Sequence, residues 1–154
     1  MGSFSNSNLG AGLAAGDFNC DGIDDIASSE PGNSVNNSGH ISVRLGSNSG
    51  IETLEWWSMN GTDDNDNLGW SMTTLGDVES DGCTDLAVVS TKVILLNEVT
   101  PTLSEIGLVM ILKGNNSTMI HHANLTQSDY GPMFGRQVAA GGDLYYGDFN
   151  FYAG

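Results

Sequence analysis

Two ten-residue stretches concentrate the chemistry of this chain. GDFNCDGIDD runs from Gly16 to Asp25, and GDVESDGCTD runs from Gly76 to Asp85. Each holds four carboxylates, and carboxylates ~5 Å apart in water repel by roughly 0.8 kcal/mol a pair, more at lower dielectric. Such crowding needs a positive partner. Written on nine positions, both stretches put oxygen donors at positions 1, 3, 5 and 9 and glycine at position 6. The donors are Asp17, Asn19, Asp21 and Asp25 in the first, and Asp77, Glu79, Asp81 and Asp85 in the second. Gly22 and Gly82 permit the positive φ of a tight turn. A main-chain carbonyl at position 7, from Ile23 or Cys83, completes a set of the kind calcium takes, about six to eight oxygens at about 2.3–2.6 Å. Magnesium fits less well, because it keeps its waters and prefers an octahedron. An EF-hand is excluded: position 12 is Ser28 or Val88 instead of a bidentate glutamate, and the flanks read as strands. A single loop of this kind is also an ordinary solvated turn. Two at matched places favour two calcium ions.

The flanks repeat as well. NLGAGLAAGDFNCDGIDDIA (Asn8 to Ala27) lies against NLGWSMTTLGDVESDGCTDLA (Asn67 to Ala87). The Leu-Gly pairs at Leu9 and Leu68 and the aspartates Asp17 and Asp77 recur about every 60 residues. A third copy starts at MFGRQVAAGGD, with Phe134-Gly135 in the Leu-Gly place. Asp143 falls where its loop should open, but DLYYGDFNFYAG lacks the acidic spacing, so no ion is expected there. Between the loops stand short apolar runs: DDIASSEP and TDLAVVS, GHISVRLGS and IGLVMILKG, and ETLEWWSMNG. With LGAGLAAG or LGWSMTTLG as the innermost strand, each period holds about four strands, the content of one β-propeller blade. The expected fold is all-β: antiparallel four-stranded blades in one segment, 1–154, with repeats at about 8–66, 67–132 and 133–154. That is about two and a half blades, fewer than the four to eight that close a propeller. The stop at FNFYAG, in mid-blade, is read as a piece of something larger: a fragment, a ring of copies, or part of a complex.

Composition supports the same class. The 154 residues include 19 acids and 4 bases, a net charge of −15, which argues against nucleic acid and anionic membrane surfaces. Glycine is abundant at 21 residues and lysine scarce, which disfavours long helices. No run reaches the roughly 18 apolar residues of a membrane span, so no membrane insertion is expected. MGSFSNSNLGAGLAAG has no basic start and a weak apolar segment, so it does not read as a signal peptide. Sequons begin at Asn36, Asn60, Asn115, Asn116 and Asn124, which permits secretion without requiring it. Cys20 and Cys83 occupy the fourth and seventh positions of their loops. They are read as unpaired small residues, with one disulfide left open.

The order Leu-Gly or Phe-Gly, short strand, GD opening DxNxDGxxD, DIA or DLAV, then GHISV closely resembles the FG-GAP repeat. That repeat forms the blades of the integrin α-subunit propeller and occurs in related secreted propellers, among them fungal lectins and the C-terminal part of glycosylphosphatidylinositol-specific phospholipase D. The resemblance covers nearly the whole chain. It implies calcium held by Asp17, Asn19, Asp21 and Asp25 and by Asp77, Glu79, Asp81 and Asp85. Leucine replaces phenylalanine in the first two pairs, the third loop is degenerate, and STKVILLNEVTPTLSE stretches the second blade.

The remaining candidates carry less. GTDDNDN (Gly61 to Asn67) reads as a solvated connection between blades. Adjacent Trp56 and Trp57 should face opposite sides of a strand, one in the core and the other against a blade or a sugar. Trp70 reads as blade packing, and His121 and His122 as surface histidines. No nucleophile elbow, phosphate loop or HExxH is present, so the chain is not expected to be an enzyme. The resemblance implies a calcium-binding extracellular or cell-surface module for adhesion, or for protein or glycan binding, partnered by further blades or copies of itself. The alternatives are the accessory propeller of a secreted hydrolase and a propeller lectin.

Overall fold

A computed structural model describes residues 8–33, 36–95, 103–126, 134–145 and 148–153. Twelve strands form, and no helix occurs among the described residues. In chain order they are β1 (Leu13–Gly16), β2 (Asp25–Glu30), β3 (His40–Arg44), β4 (Gly46–Ser47), β5 (Gly50–Ile51), β6 (Trp57–Asn60), β7 (Met72–Gly76), β8 (Asp85–Leu95), β9 (Leu103–Lys113), β10 (Ile120–Thr126), β11 (Val138–Tyr145) and β12 (Asp148–Ala153). Two four-stranded sheets run β1-β2-β3-β6 and β7-β8-β9-β10, with β4-β5 and β11-β12 as separate pairs, all antiparallel. The all-β expectation holds at this level.

The two large sheets are built alike. In the first, Leu13 pairs with Ser28 and Gly16 with Asp25. In the second, Met72 pairs with Val88 and Gly76 with Asp85, but the register shifts between Thr74 and Gly76. That bulge takes up the extra residue separating the Leu-Gly pair from the loop in the second copy. The stretch STKVILLNEVTPTLSE continues the pairing: β8 and β9 stay in register from Leu86–Leu112 to Leu95–Leu103, so it lengthens one hairpin. Its tip, 96–102, lies outside the described residues.

Packing follows the period-2 alternation of strands. Leu86, Val88 and Leu112 point toward the first sheet and join Phe18, Ala27, Ile41, Val43, Leu68 and Met72 in one core cluster. Ala87, Val89, Val109 and Ile111 point the other way and pack with Leu75, Phe134 and Val138. The second sheet is therefore buried on both faces, which is why β8 opens on the unbroken run LAVV. The other face of the first sheet is partly exposed among the described residues. Leu13 and Ile26 stand exposed there, and Arg44 lies over Ser28 and Ser42 while pairing with Glu55 at 2.9 Å.

Two expectations change. ETLEWWSMNG is a strand only over Trp57–Asn60, and Trp56 precedes it. Alternation does not bind a residue outside the strand, and both tryptophans pack against the same cluster. Trp70 is half-exposed, 52%, instead of being packed away. Asp143, in the degenerate third copy, sits inside β11, paired with Phe149.

Candidate metal centre

Each acidic loop joins the first two strands of its sheet. In the first, the Asp17 carboxylate accepts the N–H groups of Asp21 (3.0 Å) and Gly22 (2.8 Å), and Asp21 accepts that of Ile23 (2.8 Å). In the second, Asp77 accepts from Asp81 (2.9 Å) and Gly82 (2.8 Å), and Asp81 accepts from Cys83 (3.0 Å). Positions 1, 5, 6 and 7 thus come together as the spacing implies. Gly22 and Gly82 have φ of 88° and 93°, as expected of position 6. Position 4 is also left-handed, at Cys20 (62°) and Ser80 (61°), which no side-chain pattern announced.

The position 9 carboxylates close the loops from below. Asp25 accepts the N–H groups of Phe18 (3.0 Å) and Gly46 (2.8 Å), and Asp85 those of Val78 (3.0 Å) and Gly114 (3.1 Å). Both are buried. Burial raises both carboxyls above their ordinary value, outweighing the N–H bonds that lower them, and the neighbouring acids, Asp21 and Asp17 or Asp81 and Asp77, push the same way.

Position 3 separates the loops. Asn19 turns inward, its amide donating to Asp21 at 2.9 Å and its oxygen accepting the Asp21 N–H at 3.2 Å. Glu79 instead pairs with Lys113 at the end of β9, and His122 Nδ1 stands 3.8 Å from the same carboxylate oxygen. His122 therefore has an acidic neighbour that its sequence spacing did not show. Exposed His121 faces Asn124 at 2.9 Å. Position 2 differs too: Phe18 is fully buried in the first cluster, whereas Val78 is 42% exposed.

The cysteine expectation is overturned. Cys20 and Cys83 form a disulfide, with Cα atoms 4.7 Å apart. Their different loop positions made pairing look unsupported. Stacking the first loop against the start of the next sheet is what brings them together. The Thr84 N–H donates to the Asp17 carbonyl at 2.8 Å, and the Asn115 N–H to the Phe18 carbonyl at 3.0 Å. A buried phenylalanine in an otherwise polar loop was the available sequence signal that this loop is docked.

The donor chemistry suits a hard cation. Asp17, Asn19, Asp21, Asp25, Asp77, Glu79, Asp81 and Asp85 offer only oxygen, and a carboxylate has lone pairs beyond those that one or two N–H groups engage. Among the described residues, no three His, Cys, Asp or Glu side chains converge as a ready-made cluster. An ion would draw the loop carboxylates inward, and in the second loop it would compete with Lys113 for Glu79. The GTDDNDN connection is folded on itself: Asp66 accepts the N–H groups of Thr62 (3.1 Å) and Asp63 (2.8 Å), and Asn36 donates to Asp64 at 2.7 Å. Comparison with models of known protein families and with curated proteins returned no match to this chain.

Proposed function

We propose that the chain is a calcium-stabilised recognition module of the FG-GAP, propeller-blade type, working outside the cell in adhesion or in binding a protein or glycan. The observation that carries this reading is the duplicated loop. Two nine-residue turns recur at the same place in two similarly registered sheets, with the same main-chain bonds to positions 1, 5 and 9. An ion in each would neutralise the crowded acids and tie the first strand of a sheet to the second. The protein's own part is to present oxygen: Asp17, Asn19, Asp21 and Asp25 in one turn, and Asp77, Glu79, Asp81 and Asp85 in the other, with the Ile23 and Cys83 carbonyls at position 7. Binding only the folded state stabilises it by about 2.7 kcal/mol when free calcium is 100 times Kd. The disulfide supports an oxidising, extracellular setting, and exposed sequon asparagines at Asn36, Asn60, Asn116 and Asn124 are compatible with it. The stacking of the two sheets is compatible with neighbouring blades, and the exposed Leu13 and Ile26 on the first sheet are compatible with a further blade or copy there.

Native mass spectrometry of the oxidised protein from calcium-containing ammonium acetate, before and after chelation, tests this. Two ions per chain, removed by chelator and reduced to one in Asp17→Ala or Asp77→Ala, are expected. A spectrum with no bound calcium overturns the reading and leaves the loops as solvated turns.

A further inference from the structure

The two acidic loops differ at position 3, and the segment that closes each loop from below differs in step with it. The Gly46 N–H donates to Asp25 and the Gly114 N–H to Asp85, so these glycines correspond, and so do Leu45 and Lys113 before them. The strand registers agree: Ile26 lies opposite Arg44, and Leu86 opposite Leu112. The first repeat thus carries neutral Asn19 with apolar Leu45, and the second carries Glu79 with Lys113. An acid and a base enter together, at two places well apart in the chain. The chain has 4 bases for 19 acids, and one of those bases is seated on a loop that crowds carboxylates.

The Lys113 ammonium contacts Glu79 directly, and the two side chains are 22% and 31% exposed. Such partial burial leaves the pair less screened than one on the open surface. Asp77, Glu79, Asp81 and Asp85 less Lys113 carry the same formal charge as Asp17, Asp21 and Asp25. Among the described residues, no lysine or arginine pairs with the first loop, where the Asn19 amide turns to Asp21 instead. The second loop therefore has a cation supplied by its own chain, and the first does not.

We infer that Lys113 is a tethered cation for the second loop, closing it without a metal and making it the weaker of the two calcium sites. The inference rests on the calcium reading above and deepens it by giving the two loops different dependence on the ion. An ion entering the second loop must draw Glu79 away from the ammonium, and it meets a positive charge that the first loop lacks. A unit charge beside a divalent ion lowers its affinity by roughly tenfold even at the dielectric of water. The first loop, with the Asn19 oxygen already turned inward, offers position 3 without such a competitor. As calcium rises, the chain passes through a half-loaded state, with the first loop occupied and the second still held by its lysine.

The test is a calorimetric calcium titration of the full oxidised chain, with bound ions counted by native mass spectrometry, and thermal melts in chelator and in saturating calcium. Two binding steps are expected, separated by roughly tenfold or more in Kd. Asp17→Ala should remove the tighter step and Asp77→Ala the weaker one. Lys113→Met keeps an aliphatic stem and removes the charge. It should tighten the weaker step by roughly tenfold and leave the other unchanged, which also establishes that the variant is folded. In chelator Lys113→Met should melt roughly 3 °C lower than the unaltered chain. In saturating calcium the two should melt together, because the ion has already displaced the lysine. An equal loss in both conditions marks an ordinary structural ion pair and overturns the inference. Equal affinities, or a tighter second loop, overturn it as well. Those outcomes leave two bound ions and the metal reading standing, whereas a chain that binds no calcium sinks both.

Discussion

Asp25 and Asp85 do two jobs with one carboxylate each. Both oxygens accept main-chain N–H groups, and both side chains are buried beside further acids. Burial raises their folded-state pKa above the unfolded value of about 3.8. The folded chain therefore holds these protons more tightly than the unfolded chain. Their contribution to stability is present below the unfolded value and is lost as pH rises through the raised folded value. In chelator, the thermal midpoint should accordingly rise as pH falls from neutral toward the mildly acid range. In calcium the slope should reverse, because an ion favours the ionised carboxylates and is released as they protonate. Thermal melts across pH with and without calcium check this, and identical slopes in the two conditions would contradict a role for these acids in holding an ion.

At the scale of the element, one close approach joins the sheets. Gly39, just before β3, makes a parallel bridge with Leu68, in the Leu-Gly pair of the second repeat. Its φ is +86°, and a Cβ there would run into the Leu68 backbone. Gly22 has φ +88° but open space around it. The two positions separate clash from conformation. Gly22→Ala should cost about 1 kcal/mol, the price of a left-handed alanine. Gly39→Ala should cost about 3 kcal/mol or more, since main chain cannot step aside. Chemical denaturation of both variants measures the difference, and equal losses would mean that the Gly39–Leu68 contact does not hold the sheets together. The bulge in β7 belongs to this scale as well: it lets a one-residue insertion leave Gly76 opposite Asp85, so the second loop keeps the geometry of the first.

Across the whole molecule, the disulfide binds the first repeat to the second. Its 63-residue separation corresponds to about 4 kcal/mol of lost chain entropy in the unfolded state. The Cys20→Ser/Cys83→Ser double variant should therefore melt roughly 10 °C lower. Loss of order should begin at the first loop, where Asp17 and Phe18 lean on Thr84 and Asn115. Hydrogen exchange at Thr84 and Asn115 reads this directly, and unchanged protection there would place the bridge outside the stabilising contact. Ser29 ties the same two repeats from the inside, accepting the Gly12 N–H at 2.8 Å and donating to the Gly69 carbonyl at 2.7 Å.

Much of this is legible in the sequence. Short apolar runs between Gly, Asn and Asp turns already meant all-β, and the recurrence near 60 residues already meant two similar sheets. Donors at alternate positions with glycine at position 6 are a local property, so the turns of Asp17–Gly22 and Asp77–Gly82 followed from spacing alone. Contacts between repeats were not legible, because they depend on how one sheet lies on the next. Only the tertiary structure paired Cys20 with Cys83, set Lys113 against Glu79, buried Phe18 and left Trp70 half-exposed. Each joins segments that periodicity relates in type but not in space. A repeating sequence specifies its unit through short-range geometry, and the stacking of units, governed by which faces bury against each other, decides everything between them.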